Sequence, residues 1–263
     1  MTVFGLFEVA YAGSGFAVGF VVGLSGVGGG ALMTPLLVLV FGVHPAAAVG
    51  TDLLFAAVTK AGGTAIHHIG RSIEWRVMGL LAAGSIPATV ATLLVLRHHD
   101  VVGGEIALVI TNVLGYALLL TALSLVFRRP ILALARVWSL HVRPLRRTAA
   151  TVATGAALGV LVSLTSVGAG AICVTILVLL YPHLSAARIV GTDIAHAMPL
   201  ALVAGLGHWV LGTVDLGLLV SLLIGSLPGV ALGALVAPRV PEHLLRFVLA
   251  TVLSAVGVML VMK

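Results

Sequence analysis

Three ionisable residues stand inside long apolar stretches of this chain: Asp52, Lys60 and Asp193. A charge within hydrocarbon is costly, so each is a functional candidate until a structural partner accounts for it. Lys60 follows Asp52 by eight positions, about 12 Å along a helix, which puts it near mid-span where snorkelling to an interface is difficult. It is placed to pair with Asp52 or Asp193, or to offer its ammonium to an anionic substrate. Asp193 and His196 are three residues apart and share a helix face, as members of a proton relay would; the first half of the chain has Phe55 where the second has His196. The plainer reading is that both aspartates, which follow short turns, are helix N-terminal residues with Thr51 and Thr192 as caps.

The backbone offers a second kind of chemistry. Residues 23–30 read GLSGVGGG, and a near-copy, SLTSVGAG, occupies 163–170. Glycine is the worst common helix residue after proline, and bare backbone cannot face lipid, so each run is a helix break lining a cavity or packed on protein. A half-helix that begins at such a break points unpaired N–H groups and a positive dipole end into the membrane centre, where an anion can be held. Ser25, Thr165 and Ser166 add hydroxyl donors. Close packing of helices is the alternative use of glycine, and it is the reading for Gly62, Gly63 and Gly233. No phosphate-binding lysine loop, nucleophile elbow or zinc-protease motif is present, so an enzyme is not expected.

These groups must be carried by membrane helices. The chain is 60% hydrophobic and 8% charged, with several runs of 18 or more residues nearly free of charge. Cys173 is the sole cysteine, which excludes an intrachain disulfide and thiolate clusters; the scattered histidines lack ligand spacing, so neither a metal site nor a cofactor is expected. No removable signal peptide is evident at the N-terminus. Six of the fourteen Lys/Arg lie between Arg128 and Arg147. That basic run joins two hydrophobic blocks and reads as a topology signal rather than a nucleic-acid site. Its interleaved apolar residues suggest an amphipathic helix on the membrane surface.

The second half replays the first. VGTD recurs at 49–52 and 190–193, His67 matches His208, Glu74 matches Asp215, and GSIP at 84–87 matches GSLP at 225–228, all at an offset of 141. The reading is a tandem duplication: an N-terminal membrane repeat over 1–127, a basic amphipathic connector over 128–147 and a C-terminal membrane repeat over 148–263. GSIP and GSLP read as helix kinks, and His67 and His208 as interfacial or helix-capping residues. If the broken segments cross fully, the repeats are parallel, with nine basic residues on the connector's side and four opposite. If each is re-entrant, three crossings per half give inverted repeats. Arg71, Arg76, the six connector arginines, Arg188, Arg239 and Arg246 then share one side, against Arg97 and Lys263. The positive-inside rule favours the inverted arrangement. Length agrees, since a continuous helix over 13–41 would measure about 43 Å against a core of roughly 30 Å, whereas two half-helices of about eleven or twelve residues would meet at the bilayer centre.

The glycine break, the VGTD span, the stretch from His67 through Trp75, the GSIP motif and their second copies, in this order, resemble the TauE/SafE family of membrane permeases, also called the 4-toluene sulfonate uptake permease family. The resemblance implies movement of small sulfur anions, such as sulfite, thiosulfate or sulfonates, across the cytoplasmic membrane. The expectation is therefore an all-α polytopic membrane protein with two inverted repeats, each a broken or re-entrant first segment plus three spans, acting as a secondary transporter by alternating access. Its anion site would comprise Ser25, Gly28, Gly29, Gly30, Lys60, Thr165, Ser166, Gly168, Ala169 and Gly170, with Asp52, Asp193 and His196 as proton-coupling candidates. The expected partners are the anion and the lipid bilayer, and a homo-oligomer is compatible with all of this. The rival readings are an anion or small-solute channel and a membrane component that docks another protein.

Overall fold

In hydrocarbon every backbone N–H and C=O must be satisfied within the segment, and helices do this locally. The computed structural model describes residues 3–25, 30–99, 103–127, 130, 144–168 and 170–262, and within them all regular structure is helical. The first half contributes α1 (Val3–Ser25), α2 (Gly30–Leu39), α3 (Pro45–Ile69), α4 (Trp75–Arg97) and α5 (Gly104–Val126). The second contributes α6 (Pro144–Thr165), α7 (Ala171–Leu180), α8 (Ala186–Val210), α9 (Leu216–Val236) and α10 (Glu242–Val261), in the same order and with nearly the same lengths. Six helices are long and apolar enough to cross a membrane among the described residues: those over 75–97, 104–126, 145–165, 186–210, 216–236 and 243–261. The 25-residue α3 is as long, with Asp52 and Lys60 in its interior.

The break falls between α1 and α2, but its two arms are unequal. α1 has 23 residues, about 34 Å, and α2 has ten, about 15 Å. The expectation of two matched half-helices over 13–41 is corrected because the residues before Gly13, with Glu8 their single charge, sustain ten further residues of helix. The second half repeats the design with 22-residue α6 and ten-residue α7. The expected surface helix of the connector falls largely on Arg128, Arg129 and 131–143, which lie outside the described residues.

Two parallel helix pairs hold the halves together. Gly15, Gly19 and Gly23 of α1 face Gly225, Gly229 and Gly233 of α9 so closely that a Cβ at Gly19 would lie 2.5 Å from the Ser226 carbonyl. The equivalent pair, α4 with α6, uses Gly84, Gly155 and Gly159 in the same way. Small residues let backbones approach and gain dispersion where lipid removes the hydrophobic drive. The GSIP and GSLP motifs therefore supply contact glycines, with Pro87 and Pro228 inside continuous helices. Gly233 packs as expected, whereas Gly62 has nothing within 4 Å of where a Cβ would be.

The other two pairs match an element with its own repeat equivalent, and both run antiparallel. Along α3 and α8, Gly50 faces His208, Leu54 faces Gly205, Gly63 faces Ile194 and His67 faces Gly191. Along α5 and α10, Gly115 faces Leu260 and Leu119 faces Gly257. These directions place Arg71, Arg76, Arg146, Arg147, Arg188, Arg239 and Arg246 at one end of the bundle and Arg97 at the other. Polarity is inside-out: Thr34, Thr51, Asp52, Ser85, Ser163, Thr192, His196, His208 and Ser226 are fully buried, while Phe247, Ile224, Leu235 and Tyr116 face outward.

A leucine at Gly84 has no room, because its Cβ meets the Val152 backbone rather than a side chain that can turn away. Gly84→Leu is expected to cost at least about 3 kcal/mol by overpacking, read as a lowered unfolding temperature in detergent. Gly79→Ala, where nothing lies within 4 Å, should be neutral or gain up to about 1 kcal/mol. Equal unfolding temperatures for Gly84→Leu and wild type would remove close approach as a determinant of the fold.

Candidate functional site

The second break is built by its own residues. Thr165 Oγ1 donates to the Leu161 carbonyl at 2.6 Å and accepts from the Val167 amide at 3.1 Å, which closes the end of α6. Ser166 then takes a left-handed backbone (φ 59°), and Gly168 (φ 117°) and Gly170 (φ 154°) follow with backbones that side chains rarely adopt. Gly170 is the N-cap of α7 without a side-chain cap bond, so the first N–H groups of α7 open onto this turn. Gly28, Gly29 and Ala169 lie outside the described residues. Ser25 ends α1 and Gly30 begins α2.

Asp52 is the eighth residue of α3, not its first, and is fully buried. Thr34 of α2 donates its hydroxyl to Asp52 Oδ2 at 2.6 Å. The Ser166 side chain faces the same carboxylate from the second break. Asp52 Oδ1 and Ser166 Oγ are buried with no hydrogen-bond partner among the described residues. A carboxylate of one half thus meets the break of the other.

Asp193, the eighth residue of α8, is buried against the Cys173 thiol of α7, and its Oδ1 has no partner among the described residues. His196 is fully buried; its Nε2 lies 2.9 Å from Ser85 Oγ on α4, and its Nδ1 is without a partner among the described residues. No hydrogen bond joins Asp193 to His196 directly. Lys60 is half-buried and lies within electrostatic reach of Asp193, Asp52, Cys173 and His196. Among the described residues it makes no ion pair within 4 Å; the ion pair present there joins Arg188 to Glu74. Asp52, Asp193 and His196 thus lie within electrostatic reach of Lys60, with Ser166 beside Asp52. Burying such groups unpaired costs several kcal/mol each by order of magnitude. Among the described residues, no group of three His, Cys, Asp or Glu side chains is arranged to hold a metal ion.

The capping reading of the threonines is corrected. Thr51 Oγ1 accepts from the Asp215 amide at 3.1 Å and Thr192 Oγ1 from the Glu74 amide at 2.9 Å, so each ties its helix to the opposite half. Asp215 itself caps α9, its Oδ1 accepting from the Leu218 amide. His208 is buried rather than interfacial: Nε2 donates to the Ser163 carbonyl at 2.9 Å and Nδ1 lies 2.9 Å from Thr213 Oγ1. His67 repeats the second contact, with Nδ1 2.7 Å from Ser72 Oγ. Ser85, Thr34 and Cys173 are site neighbours missed in the sequence. Thr34 and Cys173 lie on the half-helices opposite the two aspartates, which is the one signal that could have found them.

Comparison with known proteins identifies the family. Residues 11–260 match the family model described as sulfite exporter TauE/SafE. The chain is 38% identical over 248 residues to the probable membrane transporter protein YjnA of Bacillus subtilis, covering 94% of this chain and 97% of that one. It is 28% identical over 253 residues to the probable membrane transporter protein YdhB of the same organism, covering 93% and 96%. A probable membrane transporter protein of Xylella fastidiosa (strain 9a5c) is 27% identical over 265 residues, covering 95% and 94%. No solved structure matches. The chain is a multi-pass membrane transporter and belongs to the sulfite exporter TauE/SafE family.

Proposed function

We propose that this protein is a secondary transporter that moves a small sulfur oxyanion or organosulfonate across the cytoplasmic membrane by alternating access. The observation that carries the reading is Lys60: a lysine within a 25-residue apolar helix that pairs with neither nearby aspartate among the described residues. An anion between Lys60 and the break at 166–170 would be met by an ammonium, the Ser166 hydroxyl and the opening turn of α7. Asp52, Asp193 and His196 are the groups available to carry a coupled proton. Ser25 and 28–30 complete the site from the first break, with Thr165 and Ala169 on the second.

Two observations support inverted repeats that rock against one another. Repeat-equivalent helices pair antiparallel, and the reciprocal ties of Thr51 and Thr192 exchange when the halves are exchanged. Equivalent residues also differ in burial. Leu200, Ala201, Ala204, Gly205 and His208 are buried on α8, while Thr59, Lys60, Gly63, Thr64 and His67 on α3 are half-buried. The more open half of α3 leads to the end that bears seven described arginines, the cytoplasmic end by the positive-inside rule. In this reading the site opens to the cytoplasm and both chain ends lie on the outer side.

In proteoliposomes, wild type is expected to bind or move sulfite, thiosulfate or a sulfonate. Lys60→Ala should weaken anion affinity by about thirtyfold or more, as for truncation of a buried charge partner. Asp193→Asn should retain anion binding but lose stimulation by a pH gradient. Failure of every sulfur anion to bind or move would end the substrate assignment, and unchanged affinity in Lys60→Ala would end the role of Lys60. Topology is tested separately with a C-terminal reporter pair: alkaline phosphatase active and green fluorescent protein dark is the expected result, and the reverse contradicts the inverted arrangement.

A further inference from the structure

The arginine-bearing end holds a polar cavity that the transport reading does not use. It has a volume of about 380 Å³, is lined by α4, α6, the turn between α7 and α8 and the start of α8, and contains Arg76, Arg147, Arg188 and His183, with Glu74 the one acid among the described residues that line it. This size lies in the range of small-molecule sites. Glu74 is engaged with Arg188 at 3.3 Å, which leaves the charges of Arg76 and Arg147 uncompensated within the lining.

Arg147 is held in place rather than free to follow solvent. Its guanidinium stands 5.6 Å over the ring of Tyr181, and the Tyr181 hydroxyl is fixed 2.8 Å from Thr151 Oγ1. Its Nε is buried without a hydrogen-bond partner among the described residues. A planar guanidinium fixed by stacking presents its donors in a fork that suits a tetrahedral oxyanion, and Arg76 of α4 lines the same cavity. The positive-inside rule explains basic residues at this end of the bundle. It does not explain a cavity around them or an oriented, unpartnered donor.

The lining of this cavity belongs to one half of the duplication. Arg76 corresponds to Gly217, Arg188 to Ala47 and His183 to Gly42 at the offset of 141, and Arg147 to Phe7 at the offset of 140 that aligns α6 with α1. Asp52 and Asp193, Thr51 and Thr192 and the break glycines recur in both halves, whereas this basic lining, like Lys60 and His196, occurs in one alone.

We infer that the cavity between α4, α6 and the α7–α8 turn binds a phosphate-type oxyanion, held by Arg147 and Arg76 while Arg188 keeps its pairing with Glu74. The oxyanion belongs either to a free ion on the cytoplasmic side or to an anionic lipid headgroup, since the cavity opens at the membrane boundary. The site does not depend on the transport assignment.

The test uses the full chain. In a neutral detergent, inorganic phosphate is titrated against thermal unfolding, with sodium chloride at matched ionic strength as the control. In a parallel arm the protein is placed in phosphatidylcholine nanodiscs with and without phosphatidylglycerol. Wild type should be stabilised by phosphate beyond chloride, or by phosphatidylglycerol beyond phosphatidylcholine. The first result identifies a free ion and the second a headgroup. Arg147→Gln and Arg76→Gln should each lower the apparent affinity about tenfold, the loss of one charge-assisted contact. Arg97→Gln, at the opposite end, should behave as wild type. Arg76 is exposed, so Arg76→Gln reads the site even if Arg147→Gln fails to fold. The proposal is overturned if chloride matches phosphate and phosphatidylglycerol has no effect, or if the Arg76→Gln response equals that of wild type.

Discussion

A polar group in hydrocarbon must find a partner inside the protein, and this one constraint organises the molecule. It buries threonine, serine, aspartate and histidine among the leucines and valines of the core, while other leucine, phenylalanine and valine side chains face outward. It also confines non-helical backbone to the interior, where the second break closes on Thr165 before Ser166 and the glycines turn the chain. The groups that escape the constraint are then conspicuous. Asp52, Asp193 and His196 lie within electrostatic reach of Lys60, with Ser166 beside Asp52.

Glycine solves the complementary problem of adhesion. Without a hydrophobic drive between helices, α1 and α9, like α4 and α6, are held by backbones in van der Waals contact, and a methyl group at Gly84 or Gly225 would strike a carbonyl. These rigid pairs each join the first helix of one half to the fourth of the other. The half-helix α2 packs on α3, where Asp52 lies, and α7 packs on α5, α6 and α8, the last of which carries Asp193. Ser85, beside Gly84 on α4, brings one of these glycine-packed helices to His196 in the site.

Much of this was legible in the residues, and the failures have physical causes. The offset of 141 announced five elements that recur in order, and the eight-residue spacing from Asp52 placed Lys60 at depth. The position of Asp52 was ambiguous because a turn precedes it; only the start of α3 at Pro45 shows the carboxylate two turns inside. The unequal arms of the broken segment escaped because residues 3–12 are less uniformly apolar than residues 13–24. The contact of Ser85 with His196 spans 111 positions, and no local periodicity reports a pairing between halves. Glycine type alone also misled at Gly62, which has nothing within 4 Å of where a Cβ would be.

The reciprocal ties carry a consequence for origins. Thr51 holds the amide before α9, and Thr192 holds the amide before α4, with the same atoms at distances of 3.1 and 2.9 Å. In the inverted arrangement proposed above, a half-length protein would make both bonds only with a second copy of itself lying the other way up. A single chain that carries both halves frees each to differ from its equivalent. Lys60 and Ala201, equivalent in position and opposite in character, differ in this way.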